Sequence, residues 1–363
     1  MKRLVLVAAL SVALPMAVTA CGGSDSDEIG ATAKQQKKDP VTLVVYSRVP
    51  DGGALIQKVL GPIMEEKYNT KLVTQDMLNA AAYAKAVAEK NNPKASVVVT
   101  EIFDAMRGAE QGMWAKLDPS IVTNIDGLMP SAKKAVSDTY APLLASDMVM
   151  AYRTDVFKDH GFPEPTGFND LTRTEYKGKV GLTGSASTLS LYQLIMFAKM
   201  NGGSENDIEP GFKFAKQLVD SGQVGFFADS SSVFNQAMLN KQIWIGTQFG
   251  PTARTLQSEG GPVKTIYPQE GIYENFQTVA IPAKAPHQKE AQELVNLLLG
   301  PEFQQAQAVE GLVLPVRDDI DVSAVAEMFP PKDATYYVPD FAVVAKNVDA
   351  WKKRWETEIE AKH

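Results

Sequence analysis

The sequence of 363 residues holds one cysteine, Cys21, so no disulfide can form within the chain. Its three histidines, His160, His287 and His363, are scattered and give no metal-ligand spacing. Basic residues are outnumbered, 36 Lys and Arg against 43 Asp and Glu, for a net charge of −7. That balance argues against nucleic acid, which selects strongly basic surfaces. No segment beyond the first residues reaches the eighteen or so apolar residues of a membrane span. G-x-S-x-G, H-E-x-x-H and P-loop patterns are absent. Ser131 and Lys134 match S-x-x-K, and Ser137-Asp138-Thr139 loosely matches S-D-N. These two lie only a few residues apart with no Lys-Thr-Gly after them, so they read as chance rather than as an enzyme. No internal repeat is found, and no cofactor is expected.

What is present begins with an address. Lys2-Arg3 precede a charge-free apolar run, Leu4 to Ala20, which ends in Val18-Thr19-Ala20-Cys21. Basic start, short apolar stretch and small residues at the cut make a secretory signal over residues 1–20. The last four residues resemble a bacterial lipobox, whose cysteine is acylated. A plain signal peptide that happens to be cut at Cys21 is the alternative. Residues 21–40 are small and polar and read as a tether between the lipid and the first folded residue. The protein is therefore expected to be exported and lipid-anchored to the envelope membrane, facing the periplasm or the cell exterior.

The full sequence is 45% hydrophobic and 22% charged, an ordinary globular composition. At this length two lobes are expected rather than one growing core. Val41–Tyr46, Lys71–Thr74 and Ala95–Thr100 read as buried strands, alternating with helices at 54–64, 82–90 and 105–111. Strand-like Leu143–Tyr152 is interrupted by Ser146 and Asp147, and a Pro/Gly-rich passage covers 161–167. A second series has strands at 179–183, 243–247 and 263–267, with helices at 189–200, 209–221 and 232–240. Residues 277–282 give one more strand, and 289–299 a long helix. This order predicts an α/β fold with mostly parallel sheet and helices on both faces. The expected division is lobe 1 from 41–145 plus 277–363, including a C-terminal helical tail, and lobe 2 from 146–276.

Several stretches in order carry a family resemblance. They are Val41–Ser47 leading into a helix, Gly112-Met113-Trp114-Ala115-Lys116-Leu117-Asp118, and Tyr152-Arg153-Thr154-Asp155-Val156-Phe157. The segment Gln277–Ala283, followed by Lys289-Glu290-Ala291 and Leu297–Glu302, is the most telling. The terminal Trp351–Trp355 adds to it. Together they resemble the type II solute-binding proteins of ABC importers, in the polyamine, ferric-iron and phosphonate branch. The resemblance implies a periplasmic-binding-protein-like type II fold, with two α/β lobes joined by two crossovers and a solute caught as they close. It also implies a monomeric receptor that delivers a small solute to an ABC permease and its ATPase. A receptor that reports to a membrane sensor without transport uses the same cleft and stays open as an alternative.

The candidate binding residues follow the strand ends. Tyr46 and Ser47 place a hydroxyl pair at the cleft rim, unless they serve the turn alone. Thr100 and Glu101 end the third strand, and Glu101 either pairs with a solute amine or is a solvated acid. Ser185, Ser187 and Thr188 precede a helix, whose unpaired N–H groups suit an anion and also want an ordinary cap. Arg254 is a candidate bidentate clamp for an anionic group or a surface salt-bridge partner. Trp244 reads as core. Tyr267, Glu270 and Tyr273 flank a turn that resembles the family's "P.eG" segment near the cleft. Gln277 aligns with the acid that polyamine receptors place on an ammonium. An amide there counts against polyamines, because a buried ammonium without a carboxylate partner is costly, unless Glu101 or Glu270 takes that role. The only Tyr-Tyr pair, Tyr336-Tyr337, is in the tail, which counts against iron. A small polar organic solute remains, with a carboxylate or phosphonate slightly favoured and a polyamine as the alternative.

Overall fold

Strand and helix boundaries follow the hydrophobic pattern closely in the computed structural model, which describes residues 39–48, 52–331 and 333–363. The leader, Cys21 and nearly all of the tether lie outside the described residues. In chain order the first elements are β1 (Val41–Arg48), α1 (Gly52–Tyr68), β2 (Thr70–Met77), α2 (Asn79–Ala88), β3 (Val97–Glu101) and α3 (Ile102–Glu110). After a short α4 (Pro130–Lys134) come β4 (Tyr140–Arg153) and α5 (Thr154–His160). The second series is β5 (Val180–Thr183), α6 (Leu189–Met200), α7 (Glu209–Asp220), β6 (Val224–Ala228), α8 (Ser231–Leu239), β7 (Ile245–Phe249), α9 (Gly250–Ser258) and β8 (Val263–Ile266). The chain returns through β9 (Ile272–Ala280), α10 (Gln288–Leu298) and α11 (Pro301–Val309), and ends with β10 (Tyr336–Tyr337) and α12 (Phe341–Arg354).

The fold class is α/β, but the sheet is mixed. Its order is β2-β1-β3-β9-β4-β7-β5-β6, with β10 on β9 and β8 on β4. β1 pairs in parallel with β2 and β3, and β5 with β6 and β7. The expectation of a mostly parallel sheet is corrected at the centre, where β9 runs antiparallel to β3 and β4, and β4 antiparallel to β7 and β8. β4 is continuous through Ser146 and Asp147, with all 14 residues buried. Because alternate residues face opposite sides, such burial means that both faces of β4 are covered.

These two long strands run from one core to another. Along β4, Leu143 and Ala145 belong to a first core, while Met148 and Met150 belong to a second. Along β9 the change falls between Tyr273 and Phe276. The first core gathers side chains of β1, α1, β3, α10 and α11. The second is built around α6, ten of whose 12 residues are buried. A smaller third cluster holds Phe234, Met238, Ile243 and Ala253. The tail departs from the sequence expectation. Val344, Val348, Trp351, Trp355 and Ile359 pack in the second core, because this stripe is apolar at helical spacing and α6 offers an apolar face.

Two glycines allow close backbone approach. A Cβ on Gly211 would lie 2.4 Å from the Leu194 carbonyl oxygen, so α6 and α7 meet backbone to backbone there. A Cβ on Gly246 would lie 2.1 Å from the Gly181 carbonyl oxygen. We expect Gly246→Ala to push β7 from β5 and to destabilise by about 1–3 kcal/mol or more, as overpacking does. Urea unfolding checks this, and an unchanged midpoint would contradict it.

Candidate functional site

A cavity of about 170 Å³ lies where strand ends from both cores meet. On one side it is lined by Arg48 and Met77, which end β1 and β2, by Asn79 and Ala80 at the start of α2, and by Glu101, which ends β3. The long strands supply Leu144, Ser146 and Gln277 to it. The opposite wall is Ala186-Ser187-Thr188 before α6, Ser230-Ser231-Ser232 at the start of α8, and Phe249, Pro251 and Thr252 from β7 and α9. In α/β sheets this is the usual place for a ligand, because loops at the carboxyl ends converge there. First-turn residues of several helices line one space, so partial positive charge gathers on the hydroxyl-rich wall. Ser230 also caps α8, its Oγ accepting from the Val233 N–H at 3.3 Å.

Glu101 is the most constrained residue at the cavity. It is 2% exposed, and its carboxylate accepts from Asn79 Nδ2 at 2.7 Å, the Tyr192 hydroxyl at 2.8 Å and Asn275 Nδ2. Burial pushes its pKa up, and the three donors counter that in part. Tyr192 belongs to α6 and stacks on Tyr273, ring centroids 4.4 Å apart. Glu101 thus joins a strand of the first core to a helix of the second. Asn79 Oδ1 and Gln277 Oε1 are buried acceptors without a hydrogen-bond partner, on residues that line the cavity. A buried polar atom left alone is costly, so these two acceptors suit a solute that donates hydrogen bonds.

Of the residues singled out from sequence, Glu101, Ser187, Thr188 and Gln277 line this cavity. The others do not, for reasons visible in their partners. The Tyr46 hydroxyl donates to Glu89 at 2.9 Å, with Lys85 over the ring. Ser47 borders a separate small void beside Leu55 and Phe303. Thr100 is fully buried, its carbonyl accepting from Thr278. Ser185 donates its N–H and its hydroxyl to Glu360. Glu270 accepts from the N–H groups of Phe168 and Asn169 and so caps the start of the short helix Phe168–Thr172. Tyr273 is buried in the second core. Trp244, expected in the core, is half-buried at its edge and stacks with His160.

Arg254 needs the plainest correction. It is 0% exposed, and its guanidinium is occupied by Asp147 at 2.7 and 2.9 Å, by the Leu312 carbonyl at 2.9 Å and by the Tyr267 hydroxyl at 3.2 Å. Tyr267 in turn donates to the Met328 carbonyl. Four of its five N–H donors are taken and the residue does not line the cavity, so Arg254 is a salt-bridge partner, buried rather than at the surface. Beside this pair, Glu274 has its pKa pushed up to about 7, first by burial and then by the Asp147 charge. A raised carboxyl pKa means that the folded state holds its proton more tightly than the unfolded state. Stability from this group is therefore lost as pH rises from about 4.5 to about 7. We expect Glu274→Gln to raise stability at pH 8 by on the order of 1–3 kcal/mol and to leave it unchanged near pH 4. Urea unfolding at both pH values checks this, and an equal effect at the two would contradict it.

Residues that sequence reasoning missed include Arg48, Asn79, Ser146, Ser230–Ser232, Phe249 and Thr252. The Ser-Ser-Ser run after a strand was a usable signal, since it combines a cap with extra hydroxyls. Ser146 and Phe249 carried none, because their placement depends on how β4 crosses β7. A larger groove of about 1240 Å³ runs along α7, but exposed side chains such as Lys213, Lys216 and Asp220 border it, and no strand end reaches it. Among the described residues no group of three metal-ligating side chains is found, and no helix is long and apolar enough to cross a membrane.

Residues 64–330 match the family described as bacterial extracellular solute-binding protein. Spermidine/putrescine-binding periplasmic protein 1 of Haemophilus influenzae is 25% identical over 289 residues, covering 78% of this chain and 77% of that protein. The spermidine/putrescine-binding periplasmic protein of Escherichia coli is 28% identical over 231 residues, covering 62% of this chain and 64% of that protein. Among solved structures, the periplasmic binding protein AfuA from Actinobacillus pleuropneumoniae, with fructose-6-phosphate bound, superimposes with a TM-score of 0.73. It is 21% identical, and the match covers 88% of this chain and 98% of that one. Iron-bound HitA from Pseudomonas aeruginosa gives 0.68 at 19% identity, covering 86% and 99%. The shared architecture is that of type II periplasmic binding proteins. The chain belongs to the bacterial extracellular solute-binding protein family.

Proposed function

We propose that this protein captures a small polar organic solute in the cavity between its two cores and delivers it to the permease of an ABC importer. The observation that carries this reading is the cavity itself, at the carboxyl ends of strands from both cores, in a chain of this family. The solute donates hydrogen bonds to the Asn79 and Gln277 acceptors near Glu101. It places an anionic group, a carboxylate or a phosphonate, against Ser187, Thr188, Ser230–Ser232 and Thr252. Closure of the two lobes, 41–145 plus 277–363 and 146–276 with the tail's apolar stripe packed on the second core, would exclude water from these groups.

A polyamine is the second reading, favoured by the names of the curated relatives. Among the described residues Glu101 is the only carboxylate that lines the cavity, and it is already satisfied by three donors. That leaves the second ammonium of a polyamine without a counter-charge, at high cost. Calorimetric titration with amino acids, aminophosphonates and polyamines separates the two. Saturable binding of a carboxylate or phosphonate supports the first reading, and binding of polyamines alone overturns it.

The receptor is further proposed to be held to the envelope membrane through lipid on Cys21, with 21–40 as its tether. A lipid anchor keeps it at high effective concentration near its membrane partner. Cys21→Ser is expected to move the protein from the membrane fraction to the soluble fraction. Unchanged membrane retention would contradict the anchor.

A further inference from the structure

We propose that the C-terminal segment, residues 341–363, is a positioning element of the solute cavity, with Glu360 holding the loop 184–188 that forms one of its walls. This rests on the reading of that cavity as the solute site. The segment contacts residues next to both walls, Ser185 beside one and Arg107 behind the other. Its apolar stripe continues from Val344, Val348 and Trp351 to Trp355 and Ile359, all buried in the second core. Trp355–Ile359 forms a π turn, a widened turn that redirects the residues after it. Arg354 braces this turn from both sides, pairing with Glu209 at 2.6 Å and Glu358 at 2.8 Å. Glu360 follows directly. Its Oε1 accepts the Ser185 N–H, and its Oε2 accepts the Ser185 hydroxyl at 3.1 Å.

Ser185 lies one residue before Ala186-Ser187-Thr188, which line the cavity. Gly184 leaves room for the carboxylate, since a Cβ there would come within 3.3 Å of Glu360 Oε1 and 2.9 Å of Asp229 Oδ1. The tail carboxylate therefore fixes the loop from behind, while the Ser187 and Thr188 side chains stay on the cavity side. On the other wall, Asp349 accepts from Arg107 of α3 at 3.2 Å, and Arg107 also pairs with Asp104 at 3.4 Å. α3 starts immediately after Glu101. One short segment thus contacts both the helix that follows Glu101 and the loop that carries the hydroxyls. Glu360 acts through Ser185 and is a positioning residue.

The test uses Glu360→Ala and Glu360→Gln in the full chain, with two readouts. The first is hydrogen exchange of peptide 183–192 without solute. Glu360→Ala is expected to speed exchange there by about tenfold or more, since a charge-assisted hydrogen bond is lost. Peptide 95–101 is expected to stay unchanged. Glu360→Gln keeps an acceptor for the Ser185 N–H and is expected to restore most of the protection. The second readout is titration with inorganic phosphate as a minimal anion, whose affinity is expected to fall about fivefold to tenfold in Glu360→Ala and to recover in part in Glu360→Gln. Wild-type exchange at 183–192 in Glu360→Ala would overturn the proposal. So would equal loosening of the whole chain in both variants, or phosphate affinity unchanged in Glu360→Ala. Failure of phosphate to bind the wild type would count against the anionic solute, and the exchange result would then decide the role of Glu360 alone.

Discussion

Arg254→Met is expected to destabilise the protein by about 3–5 kcal/mol, the cost of leaving a buried carboxylate without its partner. The variant keeps side-chain volume but removes every contact that the guanidinium makes. Asp147 would remain 0% exposed with no cation, and the Leu312 carbonyl would lose its donor. Leu312 holds a left-handed backbone, φ 48°, which a leucine adopts only when its surroundings impose it. The Arg254 side chain supplies part of that constraint and also lies against the Phe329 ring at 5.2 Å. The loss thus reaches the segment that carries Val313 to the cavity. Replacing the pair together, Arg254→Met with Asp147→Leu, is expected to recover much of the stability, because no charge is then stranded. Urea unfolding measures all three proteins. Wild-type stability in Arg254→Met, with loss of solute binding, would return Arg254 to the solute.

Glu101→Leu is expected to weaken solute binding by about tenfold to 150-fold, from the 1.5–3 kcal/mol of a hydrogen bond to a charged group. The effect passes through three donors rather than through direct contact. Asn79, Tyr192 and Asn275 each aim a donor at this carboxylate, and each would be left without it. Asn79 lines the cavity, so its amide would turn and its free acceptor would no longer be fixed. Tyr192 would lose its tie from the second core to the end of β3. Tyr192→Phe removes only one of the three and is expected to cost less. Titration at a temperature well below melting measures both variants. Unchanged affinity in Glu101→Leu would contradict the assignment of this acid to the site.

Much of the fold was legible because buried strands in this chain are dense in Val, Ile and Leu and are punctuated by turns. β1, β3 and β5 needed no tertiary information. The centre of the sheet was harder. Ser146 and Asp147 interrupt the apolar run of β4, and only the Arg254 side chain, more than a hundred residues on, makes Asp147 admissible in a buried strand. Strand direction was not readable for the same reason, since a chain that leaves and re-enters a core reverses its pairing. The tail packs on the second core because its stripe is apolar, yet periodicity names a buried face and not the partner that covers it. In the site, the loop after β5 and the end of β3 could be found from hydroxyls and an acid at strand ends. Ser185 and Ser187 are chemically alike two residues apart, and only the reach of Glu360 separates a braced residue from one that lines the cavity.

The most direct measurement is a crystal structure of the full chain with the solute that titrates to saturation. Solute density is expected between Glu101 and Gln277 on one wall and Ser187, Thr188 and Ser230–Ser232 on the other. A solute donor is expected on Gln277 Oε1 and an anionic group on the serines. Solute bound in the groove along α7, with the cavity between the cores left empty, would contradict it.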